Sequence, residues 1–355
     1  MKTAAPGDQC YPQVKIARAT TGWHDDGMGM TAIMTQPSEI DLEPASQETK
    51  VMLRAGTPAE LVALLPYVFG FPPRESVVVL GFDDRRLAGA ARLDVPAVYD
   101  PSLLGDPVYM RARLGDITAP GNRLVVVGWM DDADAAARAA EQTVSLLGCV
   151  DQTIIVSGGR CRRGDEPWVA YPTALPAAEQ AGLSVLEDRA AVAALVRGPS
   201  PDDAWDGLWA LVCESVEPMS LSQRRKRATE LVGMGLDVPH SLSVWQRLEL
   251  AALVRDGAVR DRLWSRLTSG TAAAFVALWL LIVAVTPACG APAVLGLLGM
   301  AAWVDGNGPL QVCCINRGMM LEPGHSLLRL VETINIMAIH PQTWKELRRS
   351  LVEAA

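Results

Sequence analysis

From Thr268 to Val304 the chain carries no charged residue, and this run restricts its possible folds more than any other feature. So apolar a stretch has to be kept from water, by lipid or by other parts of the protein. Pro287, Gly290 and Pro292 interrupt it near the middle. Its first half, residues 271–286, is shorter than the ~20 residues a membrane-crossing helix needs. The run therefore reads as a helical hairpin buried in protein, because a helix apolar on every side is a core element.

The same helical character extends over the whole second half. From about Pro176 onward no segment has the alternation of a strand. Helices are expected at 177–182, 187–197, 203–216, 222–234, 243–255, 259–267, 310–321, 326–338 and 343–352. Trp205, Leu208, Trp209, Val212 and Val216 illustrate the spacing. Short helices with brief links suggest a bundle or a solenoid-like stack, although no exact repeat is present. Arg224, Arg225, Lys226 and Arg227 form the only four-residue basic run and read as a solvated helix start.

The first half has a different pattern. Thr57, Pro58 and Glu60 have the order of a capping box with proline in the first turn, and Gly70 stands where a helix would end. Val77, Val78, Val79 and Leu80 form a continuous apolar run, as in a strand buried on both faces. Residues 87–95 read as its antiparallel return. A second strand at 124–129, a helix capped by Asp131 and Asp132, and a strand at 153–156 make a βαβ crossover. The fold class expected is thus α/β, a mixed sheet with a βαβ unit, followed by an all-α helical domain. The boundaries expected are 51–175 for the α/β domain and 176–355 for the helical domain. Residues 1–50 lack a sustained period and have the composition of a disordered leader. Their methionines suggest a start assigned too far upstream, with Met34 favoured as the true one.

Charge and cysteine content narrow the function. With 32 basic and 40 acidic residues the net charge is -8, which argues against a broad nucleic-acid surface. Seven cysteines occur with no C-x-x-C pair, and none of the four histidines lies at metal-ligand spacing from another candidate. Reduced thiols in a cytoplasmic protein are expected, with no metal and no cofactor. No secretory signal is evident. The nucleophile-elbow, zinc-protease and phosphate-loop motifs are missing, so no catalytic residue can be assigned.

Several segments together resemble a family known only as a domain of unknown function, numbered 4192 and found widely in bacteria with GC-rich genomes. Residues 66–79, with Phe71-Pro72-Pro73-Arg74-Glu75-Ser76 at their centre, are the most specific match. Residues 91–96, the stretch 182–186 followed by Arg189, 253–261 ending Val259-Arg260-Asp261, and Ala301-Ala302-Trp303 with Gly306-Asn307-Gly308 extend the likeness from about 53 to 350. The resemblance implies an α/β plus helical architecture and no known activity. Family members often have extra Cys and Pro after the strand at 153–156, where this chain has a single Cys161.

Three places are candidate ligand sites. One is the corner at 70–76, where Ser76 stands at the strand edge; a tight rigid turn is the plainer reading. Another is the pair Arg92 and Asp94, two apart on a strand and so on one face, where an internal ion pair is the simpler reading. The third is a loop at 157–164, where Arg160, Arg162 and Arg163 follow two glycines beside the Asp-capped helix start. Glycines and arginines suit a phosphate, although no helix follows and a solvated basic turn is the plainer account. The leading expectation is a soluble cytoplasmic binding or regulatory module without catalysis, with a protein partner met through the helical domain and no nucleic acid or membrane. The alternative is an enzyme or phosphate-bearing ligand binder with its site at the carboxyl edge of the sheet. Membrane association through 271–304 is a third.

Overall fold

The computed structural model describes residues 15–17, 30–34, 51–84, 86–94, 114–180, 185–200, 203–337, 339–346 and 348. Most of the segment read as a leader lies outside these residues. Its described parts are two short strands, β1 (Lys15–Ala17) and β2 (Met30–Met34). The expected C-terminal helix at 343–352 also falls mostly outside them.

The front half is a mixed sheet. After β3 (Val51–Ala55) come helix α1 (Pro58–Phe69), β4 (Ser76–Asp83), β5 (Arg86–Asp94), β6 (Arg123–Trp129), helix α2 (Ala133–Leu147), β7 (Gln152–Ser157), β8 (Arg160–Arg163) and β9 (Val169–Ala170). The strand order is β3-β2-β5-β4-β6-β7-β8-β9, with β1 also lying on β5. Strand β4 runs antiparallel to both neighbours, whereas β6 and β7 are parallel and joined by α2. The βαβ unit, the early hairpin and the α/β class match the sequence pattern.

Local chemistry explains the entry to the sheet. The Thr57 hydroxyl accepts from the Glu60 amide, and the Glu60 carboxylate accepts from the amides of Gly56 and Thr57. Gly70 ends α1 with φ of +74°, a conformation that suits glycine. Both faces of the central strands are covered. Val78, Leu80, Val125 and Val127 join α1 and the helical half in one core, while Val77, Val79 and Val126 meet α2 and the turn Gly115–Thr118 on the other side. On this second face Gly128 allows α2 to approach: a Cβ there would lie 2.3 Å from the Ala136 carbonyl oxygen.

The helical half comprises α3 (Pro176–Gln180), α4 (Arg189–Leu195), α5 (Asp203–Val216), α6 (Leu221–Asp237), α7 (Val244–Leu253), α8 (Gly257–Trp264), α9 (Ala272–Val283), α10 (Ala291–Asp305), α11 (Gly308–Leu321) and α12 (Ser326–Ile336). The uncharged run forms α9 and α10. Every residue of α10 from Ala291 to Val304 is buried, so this helix is the axis of the half, wrapped by α9, α11 and α12. Among the described residues no helix is long and apolar enough to cross a membrane. The hydrophobic core is continuous from the α1 face of the sheet to α10 and Trp344.

One expectation on α6 needs correction. The basic run does not simply face solvent. Arg224 reaches Asp256 and the Glu217 carbonyl, Arg225 donates to the Ala258 carbonyl, and Arg227 grips Glu249 with two hydrogen bonds. Neighbouring elements supply acceptors from 7 to 33 positions away, beyond what a helical wheel can show.

Candidate functional site

The residues singled out from the sequence lie around the edge of the sheet where β4, β6 and β7 meet the loops. Ser76 is fully buried, and its hydroxyl donates to the Pro73 carbonyl at 2.6 Å, closing the Phe-Pro-Pro corner. Phe71 plugs the core beneath it, and the Arg92 guanidinium lies 5.7 Å from that ring. Arg92 pairs with Asp94 and donates to the Arg74 carbonyl at 3.1 Å; Asp94 also receives Arg189 from α4 at 3.2 Å. Burial lowers the Arg92 pKa, with the Asp94 carboxylate pulling the other way. This network ties β5 to the corner and to the helical half. Three stretches that carry the family resemblance, around Arg74, Arg92 and Arg189, therefore meet in space.

The loop expected at 157–164 is instead a β-hairpin. Gly158 and Gly159 both have positive φ, +54° and +74°, and form its two-residue turn, so the arginines fall on β8. Strand alternation buries Cys161 in the core and sends its neighbours elsewhere. Arg160 donates to the Trp168 carbonyl, Arg162 stacks over the Trp168 ring at 5.1 Å, and Arg163 pairs with Glu166. Arg160 and Arg162 thus both meet Trp168, one at its carbonyl and one at its ring, while Arg163 is held by Glu166, so each guanidinium is already engaged within the hairpin region.

The adjacent helix start is also occupied. Asp132 alone caps α2, accepting from the amides of Asp134 and Ala135. Asp131 does not cap: its amide donates to Glu75, and its carbonyl accepts from Ser157. Glu75 itself sits at φ of +49°, an unfavourable conformation for a residue with a side chain. Three carboxylates at this edge oppose an anion there.

A second place, which the sequence reading missed, is in the helical half. A cavity of about 860 Å³ opens between α5, the α7–α8 junction, the start of α10 and the α11–α12 junction. Arg260 and His325 are buried in its wall, 8% exposed each, and Ser326 stands beside them. Arg260 donates to Asp261 at 2.9 Å and to the Ser326 hydroxyl at 3.2 Å, and lies 3.3 Å from His325 Nε2. His325 is also the N-cap of α12, its Nδ1 accepting from the Leu328 amide at 3.4 Å. Burial, followed by the Arg260 charge, lowers the His325 pKa, so the ring is held neutral more strongly than a free imidazole. Across the cavity Cys213 receives a hydrogen bond from Arg255 at 3.7 Å. Burial raises the Cys213 pKa, so its thiol form is favoured.

The only hint in the sequence was Arg260-Asp261, present in a stretch that resembles the family. Its partner His325 is 65 positions away. A histidine is an uncommon helix cap, so nothing local marks it. Among the described residues no group of three or more His, Cys, Asp and Glu is placed to hold a metal ion.

Comparison with curated proteins and with solved structures gives no match. The model of the family described as Domain of unknown function (DUF4192) matches residues 58–342, from α1 to the short turn Pro341–Thr343 that follows α12. With most of its length matched, the chain belongs to this family.

Proposed function

We propose that the protein is a cytoplasmic, non-catalytic binding module, and that its ligand site is the cavity of the helical half. The observation that carries this reading is the cavity itself. A volume of about 860 Å³ is in the range of small-molecule sites. It also places buried polar groups, Arg260 and His325, against an opening, an arrangement that packing alone does not favour. The cytoplasmic part of the proposal draws on the six free thiols among the described residues.

The sheet edge supports binding less well. Its arginines are already engaged by Trp168 and Glu166, and its helix start is already capped by Asp132. A thermal-shift screen of a broad metabolite library on the full chain tests the proposal, with native mass spectrometry of protein from its own host as the companion. Cys289 is exposed on the cavity wall, so Cys289→Trp fills the space without invading the core. Compounds that stabilise the wild type and lose their effect in this variant support the site. Compounds that stabilise both equally place the ligand elsewhere, and a library without effect on either overturns the proposal.

A further inference from the structure

We propose that Arg260, His325 and Ser326 form an oxyanion seat, which takes the carboxylate or phosphate head of a small ligand whose remainder fills the cavity; this rests on the cavity being the ligand site.

The reason is an excess of donors. A guanidinium has five N–H bonds. Among the described residues Arg260 has one partner per nitrogen, Asp261 for Nε, His325 for Nη1 and Ser326 for Nη2, so at most three of its five N–H bonds are used. The interaction with His325 is not a settled one. A neutral imidazole accepts at one nitrogen only, yet both nitrogens face a donor, the Leu328 amide and the Arg260 guanidinium. Leu328 is fully buried, so an unpaired amide there would stay unpaired. Arg260 faces the cavity and can find another acceptor. The cap therefore keeps the accepting role, and His325 Nε2 carries the hydrogen. With this tautomer both Arg260 Nη1 and His325 Nε2, 3.3 Å apart, have a hydrogen to offer an acceptor in the cavity. The Ser326 hydroxyl accepts from Arg260, which leaves its own hydrogen free to donate. An oxyanion at this corner would accept from all three.

The helix ends add to this. Helix α12 has His325 as its N-cap, and α10, with Gly290 as its N-cap, has no side-chain cap. Gly290 and Ala293 both line the cavity. Helix N-termini carry partial positive charge, and α10 is buried along nearly all its length, so water screens its field poorly.

The carboxylates near the cavity are arranged compatibly. Asp256 is engaged by the Ala258 amide and Arg224, and Asp261 holds Arg260 from a largely exposed position. Glu214, Glu217 and Glu322 are exposed at the rim. The seat is therefore a positive floor beneath an acidic rim, suited to a ligand that is anionic at its inner end and rich in N–H donors or cationic at its outer end.

The test uses the full chain with carbon-13-labelled histidine. Sodium phosphate, sodium acetate and neutral acetamide are titrated at constant ionic strength against sodium chloride, with His325→Asn used to assign the resonance. The expected result is a higher Tm and a higher His325 pKa with phosphate or acetate, because an anion beside the ring favours imidazolium. Acetamide should do neither. A response to phosphate alone identifies a phosphate head, and a response to acetate alone a carboxylate. Ser326→Ala, at an exposed position, should weaken the apparent Kd about tenfold, the worth of one charge-assisted hydrogen bond. Neither anion exceeding chloride, or a response unchanged in both Ser326→Ala and Arg260→Gln, overturns the oxyanion seat. If neutral or cationic library compounds are still lost in Cys289→Trp, the cavity remains the ligand site and only its anion chemistry fails. If no compound of any charge binds, both readings fail.

Discussion

Replacing Arg227 should destabilise the protein much more than replacing its partner Glu249. The two form a fork, with Arg227 Nε 2.7 Å from one carboxylate oxygen and Nη2 2.8 Å from the other. Their surroundings differ: the Glu249 side chain is 7% exposed and that of Arg227 33%. Arg227→Met leaves a nearly buried carboxylate with both oxygens unpaired, which should cost about 3–5 kcal/mol. Glu249→Met leaves a guanidinium that can turn to water and retains Glu230 at 3.8 Å, for a cost of about 1 kcal/mol or less. The double variant removes both charges and should recover most of the loss, because no unpaired carboxylate is then left in the nearly buried position. Urea unfolding followed by tryptophan fluorescence gives the three stabilities, read as midpoint shifts at constant slope. Equal losses for the two single variants would refute the reasoning. So would a double variant no more stable than Arg227→Met.

Gly128→Ala should destabilise by about 1–3 kcal/mol or abolish folding, since its Cβ would meet the α2 backbone at 2.3 Å. Gly158→Ala, in open space at φ of +54°, should cost only about 1–2 kcal/mol, and urea midpoints measured side by side separate steric overlap from backbone strain. His325 has a folded pKa below the ordinary 6.5, so its contribution to stability is complete above that pH. It should decline as the pH drops below 6.5 and be lost below the folded pKa; His325→Asn, which can still cap α12, should show a smaller decline in urea midpoint from pH 7.5 to 5.

The local features of this chain are written in short stretches of sequence. A capping box needs Thr57 and Glu60, an αL helix end needs Gly70, and a strand covered on both faces needs an unbroken apolar run from Val77 to Leu80. Each depends on residues within a few positions of one another, so propensity and periodicity suffice to identify them. The uncharged run was legible for a related reason: no polar face is left for water, and burial is the remaining outcome.

Other features appeared only in the tertiary structure. Two glycines and three arginines read as a solvated basic loop with phosphate as the weaker candidate, but pairing with β7 made them a hairpin turn and a strand whose arginines meet Trp168 and Glu166. The basic run on α6 looked solvated until α7 and α8 supplied acceptors. The cavity needs Arg260, His325 and the start of α10 brought together from distant parts of the chain. Sequence determined which segments had to be helix, strand or core, because those preferences act through neighbouring residues. Packing decided which polar groups share a site, because a hydrogen bond or ion pair between remote positions exists only after the burial of apolar surface has set the helices in place.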